Sequence, residues 1–510
     1  MSTNRRDFIK FVVVGAVAAG CPVDMSLLAK PAGNRPEVEG ESNTICHQVR
    51  DGKVFSHPPV SARHDVVIVG GGVSGLAAAY LLQERDILLL EKEPHWGGNA
   101  YLMEYEGASY ATGAAFTWSG DEAFPFYKEL GLEPLAINCW DGSILKGEFV
   151  PDTWGEGIDR LPYSPSVREA FKRFKHEMLA IDGKQRYTEL FNVPFSNFLR
   201  GYPAEIKQWW DAYGPSNWGA TSEDTAAVLA IEELRSFAGD KRQDARYTWP
   251  GGNGAITRRL SEILQPKFGD HMQTGATTVA VVPQKSEVQV SYMQGGNLKT
   301  VAARAVVMAT PKFITHHIVD SLPEKQRDAM KKIRYIPYPV VNLVFDKPVF
   351  NKGYDTWCPG NKFTDFIVAD WVVRNQPGYL QKHNILTFYT PLSEDDRGYL
   401  LNEIGSRKIA ETVLHDFQKL FPGSDVDPVE VHIYRRGHPL YMSTPRLFTE
   451  VQPLARQPMD RVFFANTDSQ GPESTTSSAI AAARRAVKEV EHRLAGKPGT
   501  PQQSAVVFGG

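Results

Sequence analysis

Three glycines, Gly70, Gly72 and Gly75, follow directly on the apolar, β-branched run Val66-Val67-Ile68-Val69, and small and apolar residues from Leu76 to Leu82 follow them. A strand, a G-x-G-x-x-G turn and a helix in that order form a binding site for the pyrophosphate of a dinucleotide. Gly70 allows the tight turn, Gly72 lets phosphate approach the backbone, and Gly75 lets helix and strand pack closely. Val73 and Ser74 stand in the first helical turn, where free N–H groups and the positive dipole end face the phosphates. A second apolar run, Ile87 to Leu90, ends in Glu91 and Lys92, at the distance where a carboxylate accepts hydrogen bonds from the adenosine ribose.

The chain that must position these residues has 510 residues, 42% of them hydrophobic and 23% charged, enough for two intimately joined domains. Its net charge of -3, with Lys and Arg spread along the chain, gives no electrostatic footprint for nucleic acid. Cys21, Cys46, Cys139 and Cys358 show no metal-ligand spacing and no C-x-x-C pair, so no metal site is expected.

The first residues carry an address. Asn4-Arg5-Arg6-Asp7-Phe8-Ile9-Lys10 precedes an apolar stretch, Phe11 to Gly20, that is too short to span a bilayer. The segment resembles a twin-arginine signal, which implies recognition by that export machinery and a periplasmic or otherwise exported protein, folded before it crosses the membrane. Ala18-Ala19-Gly20-Cys21 resembles a lipoprotein cleavage box with Ala18 in place of the usual Leu, so a lipid anchor at Cys21 and its absence both stay open. Residues 22–64, rich in Pro, Gly, Ser and Asn, read as a tether.

Further segments carry a family resemblance. Gly97-Gly98-Asn99-Ala100 resembles the second glycine pair of the flavin amine oxidases, usually written G-G-R. Asn99 replaces that Arg, so the phosphate contact would have to be made by backbone donors or another residue. Gly113-Ala114-Ala115 and Phe116 resemble the segment beneath the isoalloxazine, with Trp118 a candidate substrate contact. Trp249-Pro250-Gly251-Gly252-Asn253 looks like the segment beside the flavin, and Val279 lies on the strand near the adenine. Leu454 to Asp468 looks like the strand that returns to the cofactor, Asp468 taking the place of a carboxylate on the ribityl chain. Thr475, Thr476 and Ser477 then open a helix whose N-terminus, in the family, stabilises negative charge on the reduced ring.

The ordered matches cover most of residues 65 to 490 and resemble the flavin amine oxidase superfamily, which includes monoamine oxidases and phytoene desaturase-like FAD oxidoreductases. The resemblance implies an α/β fold: a Rossmann-like FAD-binding domain (65–119, 249–311, 451–493) interleaved with an α+β substrate domain (120–248, 312–450), after a signal at 1–21 and before a tail at 494–510. It implies hydride transfer from the carbon beside a neutral amine, in a small amine or amino-acid-like substrate, to flavin N5, with reoxidation by oxygen or another acceptor. Two departures bear on this. Asn342 stands where the family places a Lys that holds a water at N5, and no Cys lies between His438 and Pro445, so FAD is expected to be non-covalent. Tyr441 is a candidate wall of an aromatic cage, and His438 an acid-base candidate by residue type alone. A carbon-carbon desaturase or isomerase on an apolar substrate, and a non-catalytic protein that retains FAD, are the alternatives.

Overall fold

The computed structural model describes residues 35–118, 120–238, 246–374, 376–380, 382–422 and 426–497; the export signal, Cys21 and residues 22–34 lie outside them. The described chain opens on a short strand, β1 (Glu37–Gly40), and a helix, α1 (Thr44–Arg50). This corrects the expected tether over its second half. β1 lies parallel to the strand Glu430–Arg435, Val38 packs on that sheet's core, and Val49 of α1 is buried in the core of the cofactor domain. The Ser42 N–H donates to Glu93 (2.9 Å), and Glu41 accepts from the Gly437 N–H (3.0 Å), so the segment straps two domains together. A four-residue edge strand with one apolar contact has too little alternation to show in the sequence.

Val66 to Val69 are buried on both faces, as a parallel strand covered on either side requires. They end β2 (Val60–Val69), which leads into α2 (Val73–Leu81); β3 (Ile87–Leu90) lies parallel beside β2. β4 (Asn297–Met308) plays two parts. Its first half pairs antiparallel with Val288–Gln294, and its second half runs parallel to β2 and to Val462–Phe464. The registers Val69↔Leu90, Met308↔Val69 and Met308↔Phe464 bring four strand ends to one rim, where Gly70, Glu91, Ala309 and Ala465 follow. α2 and the C-terminal helix α3 (Thr476–Leu494) share one core through Ala77, Ala78, Ala483 and Ala486; small side chains let the two helices approach.

The second sheet has eight strands, ordered β1, β6 (Glu430–Arg435), β5 (Val340–Phe345), Asn384–Tyr389, Asp365–Val368, Asp355–Trp357, Gly142–Leu145 and Glu148–Val150. Alternation on β5 decides its two faces. Val341, Leu343 and Phe345 pack with Ile409, Val413 and Phe417 of the helix Glu403–Leu420, while Val340 and Val344 pack with Ala111, Ala115 and Tyr110 of the cofactor side. A helical layer around Trp154, Phe171, Phe174, Trp209 and Trp210 covers the far end. Among the described residues no helix is long and apolar enough to cross a membrane.

Candidate active site

The glycine turn divides its labour by sterics. A Cβ on Gly70 (φ +108°) would sit 2.8 Å from the Ala309 carbonyl oxygen, and one on Gly75 would sit 1.7 Å from the Gly70 carbonyl oxygen, so both positions are closed to side chains. A Cβ on Gly72 would meet nothing nearer than 3.8 Å. The space above Gly72, at the N-cap of α2, is therefore open for a pyrophosphate, and a branched side chain would fill it. The second glycine pair lies against the first: the Gly97 N–H donates to the Gly71 carbonyl (2.9 Å). Glu91 is buried and accepts from the Gly71 N–H (2.5 Å) and the Glu93 N–H (2.8 Å); burial pushes its carboxyl up. Lys92 touches Glu93 and reaches the Ser42 carbonyl; burial works against its charge, but Glu41, Glu93 and Glu91 outweigh it and raise its pKa. Val73 is buried, and the Ser74 hydroxyl donates to the Ala479 carbonyl (3.1 Å), which ties α2 to α3 and takes that hydroxyl away from phosphate.

The flavin end is built by interlocking turns. A Cβ on Gly113 would strike the Asn99 carbonyl oxygen at 2.2 Å, and the Ala114 N–H donates to that same oxygen (3.0 Å). Gly252 (φ +65°) abuts Ala115, and Asn253 donates to the carbonyl of Phe116 (2.9 Å) and the hydroxyl of Thr476 (2.8 Å). Asn253 Oδ1 is buried without a donor, an acceptor left beside the cofactor space. Thr475 caps α3 by accepting from the Ser478 N–H (3.0 Å), with Thr476 and Ser477 in the first turn. Val279 falls at a register shift between Thr278 and Ala280, which leaves it outside the ladder.

Two expectations for the cofactor change. Asn99 Nδ2 donates to the Pro439 carbonyl (2.7 Å), and the cation beside this glycine pair is Arg436, which is buried, stacks 4.1 Å above Tyr434, and reaches the Gly98 carbonyl (3.2 Å) and Thr112. Asp468 does not offer a free carboxylate to a ribityl chain. Its Oδ1 accepts from Lys312 Nζ (2.7 Å), and its Oδ2 from the Lys312 N–H (2.8 Å) and the Tyr335 hydroxyl (2.6 Å). An Asp is one methylene shorter than the Glu usual there, and the fully buried Lys312 closes over it.

On the substrate side, Arg246 is buried over the rings of Phe116 and Trp118, touches Asp141, and lies 3.5 Å from Asp355. Trp118, Trp140, Asp141, Trp209 and Arg246 line a small recess that is partly open to solvent. Asp355 is 1% exposed, and its Oδ1 has no donor. Asp365 accepts from Ser216 (2.8 Å) and Thr364 (2.6 Å), and burial pushes it up to about 7. Burial, with Glu473 nearby, pushes Glu233 up to about 8, while Glu473 itself accepts from Trp218 Nε1 (3.1 Å). Asp141 and Asp355 thus pair with one guanidinium, that of Arg246, whose charge also reaches Glu233, while Asp365 and Glu473 neighbour these acids in an aromatic setting. Tyr389 and Tyr354 join this region to the flavin segment through the carbonyls of Gly113 (2.8 Å) and Ala115 (3.5 Å).

The family described as flavin containing amine oxidoreductase matches residues 73–491. The chain belongs to that family. Its relatives include oxidoreductase PigB of Serratia sp. (strain ATCC 39006), 24% identical over 83% of this chain and 74% of the relative, and flavin-containing amine oxidase A of Sus scrofa, 22% identical over 84% and 85%. Among solved structures, putrescine oxidase bound to putrescine superposes with a TM-score of 0.66 (18% identity, 84% of this chain and 99% of that one). Cyclohexylamine oxidase from Brevibacterium oxydans IH-35A gives 0.65 (18%, 85% and 99%). This amine oxidoreductase is an FAD-dependent enzyme, and the space above Gly72, the donor-free Asn253 Oδ1 and the capped α3 terminus fit that cofactor.

The remaining expectations for this amine oxidoreductase divide. Asn342 lies on the β5 face that packs toward Tyr110 and Ala111; its Oδ1 accepts from Thr387 (2.7 Å), and its Nδ2 is buried without an acceptor, a donor free to hold a water or ligand. His438 stacks on Phe313 (4.2 Å), and burial with Arg397 nearby pushes it down to about 4, so it is neutral at physiological pH and is no acid there. Tyr441 is buried, its hydroxyl donates to the Gly471 carbonyl (3.2 Å), and its strand pairs with Tyr335 and Ile336. Arg436, Lys312 and the buried carboxylates were missed. The Arg435-Arg436 pair at a strand end was the only visible signal among them.

Proposed function

We propose that the enzyme oxidises a small amine that carries a second positive charge, using non-covalent FAD, in the compartment reached by twin-arginine export. The observation that carries the substrate class is the excess of buried carboxylates over cations beside the flavin segment, with Asp355 Oδ1 unpartnered. An apolar polyene would leave those groups uncompensated, so the cavity disfavours the desaturase reading. The aromatic walls, Trp118 and Trp209 among them, suit the methylene stem and add cation–π attraction. Bound FAD supplies the two-electron acceptor.

The protein residues do the rest. Asp355 and Asp141 hold the distal ammonium. The reacting nitrogen must be neutral, and Asp365, which burial pushes up to about 7, is the proposed acceptor of its proton. Asn342 Nδ2 offers a hydrogen bond for a water without an ionisable amine. The Arg5-Arg6 signal supports export, and the described cysteines, Cys46, Cys139 and Cys358, lie outside the 438–445 loop, which supports non-covalent flavin. Anaerobic titration of the yellow protein tests the reading. A diamine or triamine should bleach the flavin at far lower concentration than a monoamine of equal length, whereas bleaching by polyenes alone would overturn it.

A further inference from the structure

The cofactor sheet has a second rim, at the amino ends of its parallel strands and away from the flavin. His64 lies on β2 roughly 20 Å from Gly70 at strand spacing. Asp86 immediately precedes β3, and His271 immediately precedes the strand Met272–Gln273, which pairs with β3. The three side chains therefore come from separate passes of the chain and meet at one point. His64 Nδ1 is 3.2 Å from Asp86 Oδ1, and His271 Nδ1 is 3.4 Å from the same oxygen. The two rings stand edge-on at 5.1 Å, and all three donor atoms lie within 4.8 Å of one another.

The two separations from the Asp86 oxygen, 3.2 and 3.4 Å, are those of ligands on a small tetrahedral ion. Metal bonds of about 2.0–2.1 Å at tetrahedral angles hold their ligand atoms about 3.4 Å apart. The surrounding charges leave Asp86 available: Arg85, Lys267 and Arg304 pair with Glu491, Glu84 and Asp65 respectively. The Asp86 carbonyl accepts from the Asp65 and Val66 N–H groups (3.0 and 3.1 Å), which fixes the turn that presents its carboxylate. His64 is 8% exposed at its side chain, but His271 and Asp86 are about half exposed, so water can complete the coordination.

We propose that His64, Asp86 and His271 bind one divalent cation of the zinc class, clasping three passes of the cofactor domain outside the redox site. Two imidazoles and one carboxylate form a mixed N/O set that suits Zn²⁺, Co²⁺ or Ni²⁺ and disfavours Mg²⁺, which prefers six oxygens. Such an ion binds the folded chain alone and so raises its melting temperature without taking part in turnover. The metal-free alternative is a carboxylate that accepts two imidazole N–H groups, and it needs no ion.

The test uses the FAD-loaded enzyme, stripped with a chelator and freed of any histidine tag. Calorimetric titration with ZnCl₂ should show one site per chain, and saturating Zn²⁺ should raise the melting temperature by several degrees while Mg²⁺ does not. His271→Ala, at an exposed position that tolerates truncation, should weaken zinc binding at least about tenfold and abolish the thermal gain, with flavin content unchanged. Asp86→Asn should behave likewise. No heat and no thermal gain in the wild-type enzyme, equal stabilisation by Mg²⁺, or undiminished zinc affinity in both variants would overturn the site.

Discussion

Asp355→Asn keeps the shape of a buried side chain while removing the carboxyl that faces Arg246 and Asp141 and that a cationic substrate would bind in its ionised form. Hydrogen bonds to charged groups are worth about 1.5–3 kcal/mol, so KM for a dicationic amine should rise about tenfold or more. The same change should leave kcat within about threefold, because the contact is equal in ground and transition states. Steady-state kinetics on a diamine and a monoamine separate this from general damage, which would affect both alike. At the other end of the site, Arg436→Met keeps an apolar stem and removes the cation beside Gly98 and Thr112. The purified protein should hold less FAD per chain, and Asn99→Arg in that background should restore part of it by returning a guanidinium to the second glycine pair. Unchanged flavin content, read from the visible-to-ultraviolet absorbance ratio, would show that Arg436 merely fills space.

The strap formed by β1 and α1 depends on Gly40, whose φ is +137° and whose added Cβ would fall 2.2 Å from the Arg435 carbonyl oxygen. Gly40→Val should detach the strap, exposing residues 35–53 to limited proteolysis and speeding FAD loss on dilution while the sheets stay folded. Proteolysis as slow as that of the parent enzyme would refute the strap. Elements of this kind mark the limit of what the sequence shows. The turn from Val66 to Glu91 was legible because strand, glycines and helix are adjacent in the chain, so spacing alone determines their geometry. The carboxylates at 141, 233, 355, 365 and 473 meet only after two sheets and a helical layer assemble, and no local spacing connects them. Asp468 misled for a related reason. Its place in the returning strand is set locally, but the lysine that engages it comes from a segment far away in the chain.

For the molecule as a whole, these buried acids set a direction for stability against pH. Burial lifts Asp365 to about 7 and Glu233 to about 8, and raises Asp355 and Glu473 in the same direction. A carboxyl whose folded pKa exceeds its unfolded value holds a proton that the unfolded chain releases, so its stabilisation is fully present below the unfolded pKa and is lost as pH rises through the folded one. Shifts of about three units on buried groups correspond to on the order of a few kcal/mol, reduced where water enters the cavity. The melting temperature of the substrate-free enzyme should therefore fall between about pH 4 and pH 8, and Asp365→Asn combined with Glu233→Gln should flatten that fall. A dicationic amine, added without oxygen to flavin already reduced, should flatten it too, because the ligand takes over the role of the protons and displaces them. Calorimetry in buffers of different ionisation enthalpy would then record proton release on binding. A melting temperature that climbs over this range, or a diamine that stabilises equally at every pH with no proton release, would mean that the carboxylates are satisfied within the protein and that the cavity does not select for charge.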